Sequence, residues 1–302
     1  TMKPSLWILA FLTISGARCA KVQKSSLSNE EITELSEILW NVESTSNSDP
    51  GVVLNFQGKA KSNKFQDMAD ERLFQSVDEA FFQKPTVSAF LNLLDMYNPS
   101  IYGLEEEDEI NEEDEEDFPN LIDGRSEIEN FLNKIIKSPV IETYASYLIQ
   151  KGLLGDKLQL KNQLRELWFD LYPRQKHMSN AFMHVFVGEI KGRNVNGFHN
   201  WISFYLLENT ERVDYHGWLK VIDIDEGHSL LKCQFKWGNH IKPAGTMFIG
   251  TSPEYEMAVY TLCFVFHMAK PCKIDVNGSI INIMTHKLLH KGKFVIGSAF
   301  PT

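Results

Sequence analysis

The sequence predicts an α+β protein, with an N-terminal helical lobe over 20–180 and a β-rich lobe over 181–302. Two observations carry this expectation. Before residue 180, apolar residues recur every three or four positions between Pro and Gly stops. From Phe182 onward the pattern becomes aromatic and alternating, with period two. Of the 302 residues, 43% are hydrophobic and 12% aromatic, enough to bury a substantial core.

Ser28-Asn-Glu-Glu31 has the form of a capping box, and Ile32, Leu35, Ile38 and Leu39 follow at helical spacing until Asn41. The first element is therefore an amphipathic helix. Segment 52–58 reads as a short strand or irregular, and 69–80 and 85–97 read as two further helices. The helical pattern continues over 126–137, 139–151 and 157–171, each stopped by Pro or Gly. Between these helices, 105–117 carries eleven carboxylates in thirteen residues. That run repels itself and is expected to be a disordered loop, which could compete with a polyanion for a cationic groove. Setting it aside takes the formal charge from −10 to +1, so the body of the protein can accept such a partner.

In the second half, strand candidates fall at 183–190, 200–207, 218–224, 230–237 and 246–249. Ser252-Pro253-Glu254 combines an N-cap, a proline at the first helical position and an early acid, so a short helix follows. Strands resume at 259–267, 272–276, 280–285 and 294–299. Asn277-Gly278 signals a type I′ turn, and with Ser279 it also forms a glycosylation sequon; the turn is the preferred reading.

Residues 2–19 have a basic start, an apolar stretch over 6–14 and small residues at Ala17 and Cys19. This pattern reads as a signal peptide over 1–19, and the protein is expected to be secreted. An apolar run of nine residues is too short to span a bilayer and nothing later approaches the ~18 to 20 needed, so membrane association is not expected. The expected state is a monomer. Removal of the leader leaves Cys233, Cys263 and Cys272, which allow at most one internal bridge. Cys263 and Cys272 flank the break Met268-Ala-Lys-Pro271 and are the expected pair, the alternative being two buried thiols. The absence of a Cys-x-x-Cys pair argues against a structural zinc site.

The stretch 182–208 joins two dense apolar and aromatic runs through a Gly/Asn/Lys/Arg break, which reads as a hairpin able to bring His184 and His199 together. Taken alone, both also read as satisfied strand histidines. Lys242 falls in a Gly- and Pro-bearing turn over 235–246, where an ordinary solvated lysine would also fit. Two imidazoles and an ammonium suit transesterification of an RNA phosphodiester: one imidazole takes the 2′-oxygen proton, the other protonates the leaving 5′-oxygen, and the lysine neutralises transition-state charge. The substrate's own 2′-hydroxyl is the nucleophile. No Gly-x-Ser-x-Gly elbow supports a serine hydrolase. His286 and His290, four apart, would make a metal pair only on a helix, and their region reads as strand. Among the remaining histidines His240, two residues from Lys242, is the one singled out.

The motifs His184-Val-Phe-Val-Gly-Glu189, Gly197-Phe-His-Asn-Trp-Ile202, Phe204-Tyr205, the interval Trp237 to Lys242 and Phe248-Ile-Gly-Thr-Ser-Pro-Glu-Tyr255 resemble the EndoU family of uridylate-specific endoribonucleases. The resemblance runs from the first helix to Phe300. It implies an N-terminal helical region followed by two antiparallel β-sheets that frame the active site. It further implies cleavage of single-stranded RNA at uridines, leaving a 2′,3′-cyclic phosphate and a 5′-hydroxyl, with manganese or calcium required. By this resemblance His184, His199 and Lys242 are the catalytic residues, and Glu189 supports them. Thr246, Ser298 and Phe300 fall at substrate-binding positions, Thr246 replacing the family's serine and Ser298-Ala299-Phe300 its Thr-x-Tyr. Phe300 keeps a ring able to stack on uracil but lacks the phenolic hydroxyl. Met183 replaces a glutamate common just before the first histidine, and Glu43 and Thr45 partly mismatch the pattern after the first tryptophan. These departures motivate an alternative, a catalytically weakened secreted protein that binds RNA or another partner on the same fold.

Overall fold

The computed structural model describes residues 26–47, 50–97, 125–174 and 177–302. The expected signal peptide 1–19 and the acidic run 105–117 lie outside the described residues.

Helix α1 (Asn29–Ser46) starts at the capping box as expected, with Ser28 and Glu31 bonding reciprocally, and continues past Asn41. Strands β1 (Val53–Leu54) and β2 (Phe74–Ser76) form a small antiparallel ribbon, followed by α2 (Glu79–Phe82) and α3 (Pro85–Met96). Helices α4 (Arg125–Ile135), α5 (Pro139–Gln150) and α6 (Lys157–Phe169) complete the N-terminal set. A second ribbon, β3 (Tyr172–Arg174) with β4 (His177–Ser179), leads into a π-helix (Met183–Val187). Phe182, Phe186, Phe90, Phe131 and Trp168 pack there as fully buried rings, joining the helices to the rest of the core.

Strands β5 (Glu189–Lys191) and β6 (Asn194–Asn196) form a hairpin, and α7 (Trp201–Asn209) follows. Long strands β7 (Val213–Asp225), β8 (His228–Trp237) and β9 (His240–Ile249) complete a five-stranded sheet of order β5-β6-β9-β8-β7. Its pairs are antiparallel except for a parallel contact, Asn194 with Ile241, between β6 and β9. Helix α8 (Pro253–His267) separates this sheet from an antiparallel one, β10 (Cys272–Val276), β11 (Ser279–His290) and β12 (Lys293–Pro301). The β10–β11 turn has Asn277 at φ 52° and Gly278 at φ 76°, the positive pair that a type I′ turn requires.

The structure corrects the sequence reading in four places, each a case of tertiary contact overriding local pattern. Segment 69–80 is helical only at its last two residues: the Leu73 and Phe74 N–H groups donate to the Glu208 carboxylate at 2.8 and 3.0 Å, and Asp78 caps the short α2 that begins at Glu79. The runs 183–190 and 200–207 are mainly the π-helix and α7, so only β5–β6 survives of the expected hairpin. Trp201, Ile202, Ser203 and Phe204 are buried in succession, which erases the amphipathic signal separating helix from strand. The short helix at Pro253 and the strand at 259–267 are one helix, α8, whose residues are buried from Pro253 to Phe264. Lys242 lies within β9 rather than in a turn.

Cys263 and Cys272 are disulfide-bonded, as expected, and tie the end of α8 to the start of β10. Cys233 is a buried free thiol. Among the described residues no helix is long and apolar enough to cross a membrane.

Candidate active site

His184 and His199 are brought together by backbone. The Phe198 N–H donates to the His184 carbonyl at 2.9 Å and the His199 N–H to the Val185 carbonyl at 2.7 Å, so the segment before α7 is sewn onto the π-helix. Gly197, at φ 61°, permits this approach, because a Cβ there would lie 1.8 Å from the His184 carbonyl oxygen. Asn180 holds the π-helix by accepting from the Met183 N–H at 2.8 Å. Asn200 anchors His199 from the other side: its side chain caps Ser203 and donates to Glu256 of α8 at 3.1 Å.

Each imidazole is oriented through Nδ1. That of His184 meets the Glu189 carboxylate at 2.8 Å and that of His199 meets the Thr246 carbonyl at 2.9 Å. Both partners are acceptors, so each Nδ1 carries the proton and each Nε2 keeps its lone pair. Glu189 also accepts from the Ser179 hydroxyl and lies 3.6 Å from the Arg174 guanidinium. Arg174 in turn donates to the Gly297 carbonyl at 2.7 Å, linking the β3–β4 ribbon to β12. Lys242 donates from Nζ to the Gly197 carbonyl at 2.5 Å.

An open cleft of about 550 Å³ between the two larger sheets is lined by His184, His199, Lys242, Thr246, Ser298 and Phe300. All the expected site residues except Glu189 therefore share its wall, and Glu189 stands behind His184. The Phe300 ring stacks on the His199 ring, with centroids 4.6 Å apart and planes 11° from parallel. Met183 is 4% exposed and packs in the core. His240 bonds the Gly192 carbonyl at 2.9 Å, outside the cleft. The sequence reading missed Arg174, Lys232 and His286, which also line the cleft. His286 sits opposite Ser298 on the β11–β12 pair, its ring 5.9 Å from Phe300. Their signal lay in strand register, which no local pattern carries.

Burial governs the electrostatics. It pushes the His184 imidazole below its ordinary value despite the opposing pull of Glu189. Burial, reinforced by the Lys242 charge, pushes His199 well below. The Lys242 ammonium is lowered to about 8, again by burial. For Glu189, burial pushes upward but is outweighed by the His184 hydrogen bond and the charges of His184 and Arg174, so its carboxylate stays ionised. The three catalytic groups thus rest as two neutral bases and, in Lys242, a cation that is more easily neutralised than a solvated lysine.

A separate cluster offers metal-ligand atoms. Asp67, Asp214 and His216 bring one donor each within 4.8 Å of one another, with the His216 Nε2 already 2.8 Å from Asp214. Two of these residues are on β7, at the opposite edge of the five-stranded sheet from β5, and none lines the catalytic cleft.

The same chain architecture occurs in known proteins. The chain is 35% identical over 289 residues to uridylate-specific endoribonuclease B of Danio rerio, covering 90% of this chain and 96% of that one. It is 31% identical to uridylate-specific endoribonuclease C of Xenopus laevis, over 92% and 91% of the two chains. Against the uridylate-specific endoribonuclease of Homo sapiens identity is 33%, and the match spans 62% of that longer protein. The solved structure of XendoU, described as a splicing independent snoRNA processing endoribonuclease, superposes with a TM-score of 0.67 at 31% identity, covering 92% of this chain and 98% of that one. The model of the family Endoribonuclease XendoU matches residues 31–301, and with the fold and the relatives it shows that this chain belongs to the XendoU endoribonuclease family.

Proposed function

We propose that the protein cleaves single-stranded RNA on the 3′ side of uridines by transesterification. The observation that carries this reading is the convergence of two imidazoles, each with a bare Nε2, and the Lys242 ammonium on one cleft. One neutral histidine removes the 2′-hydroxyl proton at its Nε2 as O2′ bonds to phosphorus, and the other, which takes up a proton at Nε2 when the anionic phosphodiester binds beside it, delivers that proton to O5′ as the P–O5′ bond breaks. The products are a 2′,3′-cyclic phosphate and a 5′-hydroxyl, and the two histidines exchange roles if the cyclic phosphate is hydrolysed. Lys242 neutralises the charge that accumulates on the phosphorane. Thr246 and Ser298 supply hydroxyls, and Phe300 an aromatic edge, for the uracil and ribose.

Manganese or calcium stimulation fits the Asp67–Asp214–His216 cluster, whose oxygen-rich donor set with one imidazole suits manganese better than a thiolate-seeking ion. Asp67, Asp214 and His216 would hold such a cation, which would neutralise the two carboxylates and tie the segment bearing Asp67 to β7. The Cys263–Cys272 disulfide supports folding in an oxidising compartment and hence secretion. Since one chain supplies all the cleft residues, a monomer suffices. A binding protein with a disabled site is not favoured, because the catalytic groups are intact and mutually oriented and Met183 belongs to the core.

The test is to incubate purified protein with a uridine-containing oligonucleotide, with and without manganese, and to identify the ends produced. Wild type is expected to leave cyclic phosphates and His199→Ala to lose this activity. Equal background cleavage by both proteins would refute the catalytic assignment.

A further inference from the structure

The outer part of the five-stranded sheet carries a cationic surface that begins inside the catalytic cleft. Thr246 on β9, Lys232 on β8 and Lys220 on β7 are successive cross-strand partners, so they share one face. Thr246 and Lys232 line the cleft, whereas Lys220 is exposed at the sheet edge roughly 10 Å away, two strand spacings on. Gln234, two residues beyond Lys232 on the same face, donates to the carbonyls of Lys61 and Lys64 at 3.1 and 3.2 Å. Those bonds pin an exposed Lys61–Lys64 turn beside the row.

Like charges placed directly opposite each other on a sheet cost stability, and Lys220 and Lys232 are so placed. None of the four lysines has an ion-pair partner among the described residues. Asp214 and Asp225 lie opposite Lys236 and His228, four residues along β8 from Lys232 in either direction, and each already bonds a histidine, His216 and His228 respectively. The lysines are thus held together with no carboxylate paired to any of them among the described residues. An anion continuous with the substrate would relieve that repulsion.

We propose that Lys232, Lys220, Lys61 and Lys64 form a track for the phosphates of the RNA strand flanking the cleaved bond. The proposal rests on the reading of the cleft as an RNA-cleaving site. It predicts that long substrates gain affinity from contacts that a dinucleotide cannot make, and that this gain is sensitive to salt.

The test compares wild type with Lys61→Ala/Lys220→Ala, which leaves the cleft residues in place. Two measurements are made: cleavage of the dinucleotide UpA, and binding and cleavage of a uridine-containing 12-mer over a range of salt. The double variant is expected to cut UpA at the wild-type rate and to show a KM for the 12-mer raised about tenfold. The slope of log affinity against log salt should fall by about 0.7 for each lysine removed. Restoring charge with Lys220→Arg should recover part of the affinity. An unchanged 12-mer KM and salt slope, or an equal loss on UpA and the 12-mer, would overturn the track. Binding of a 2′-deoxy 12-mer, which lacks the nucleophile, separates the two readings: wild type that binds it through these lysines yet also leaves the all-ribose 12-mer uncut sinks the cleavage reading and leaves the track standing.

Discussion

Lys242 shows how strongly one position conditions the chemistry. Its ammonium, buried in β9, is lowered to about 8, so it loses its charge as pH rises through that value. For the free enzyme kcat/KM should therefore fall on the alkaline side with a midpoint near 8, and Lys242→Gln should lower kcat by roughly 10² to 10³. A pH–rate profile that stays flat through pH 10 would separate Lys242 from catalysis. The histidines shift in the same direction, below a solvated imidazole at 6.5: both stay neutral to lower pH, His199 more so. NMR titration of the ring protons should place both below 6.5 and show them rise when uridine 3′-monophosphate supplies an opposite charge. His184, His199 and Lys242 could be found in the sequence because they sit in motifs that bring their neighbours along. Arg174 and His286 could not, because their place in the cleft depends on Gly297 and Ser298, more than a hundred residues and twelve residues away respectively.

At the scale of elements, the helix α8 illustrates how the two halves of the chain depend on each other. Its N-cap, Ser252, is itself held by Glu43 of α1, which accepts from the Ser252 N–H at 2.7 Å and from its hydroxyl at 2.8 Å. A buried carboxylate at a helix N-terminus satisfies donors that would otherwise be stranded. Glu43→Ala should cost about 1.5–3 kcal/mol in urea unfolding, and Glu43→Gln less, since the amide keeps one acceptor. A loss below about 0.5 kcal/mol would show that the cap stands without α1. The start of α8 was readable from Ser252-Pro253-Glu254, but its length was not. An element buried on every side has lost the periodicity that distinguishes 3.6 from 2, and the same holds for α7. The strands β8, β10 and β12, bounded by clear turns, were placed to within two residues at each end, whereas β7 begins five residues before and β11 ends five residues after the expected range.

For the whole molecule, the site exists only because two sheets face one another across a cleft. The five-stranded sheet supplies Lys242 and Thr246, and β12 of the other supplies Ser298 and Phe300. The disulfide joins the second sheet to α8, so Cys263→Ser/Cys272→Ser should lower stability by about 2–4 kcal/mol, read as a lower urea midpoint. A midpoint unchanged from wild type would mean that packing alone fixes that sheet. Burial of the two neutral histidines also sets a direction with pH. Their folded values lie below the unfolded 6.5, so this part of the stability is present above 6.5 and is lost as pH falls through the lowered values.

Cys233 lies on β8 directly opposite Gly245, fully buried, and burial pushes its thiol pKa up so that it is a poor nucleophile in place. It is the free cysteine among the described residues. The protein therefore contains its own clock for the opening of the sheet that holds Lys242. A thiol reagent should label Cys233 only when β8 and β9 part, and the labelling rate, followed with and without bound nucleotide, reads the stability of the catalytic floor without altering a residue.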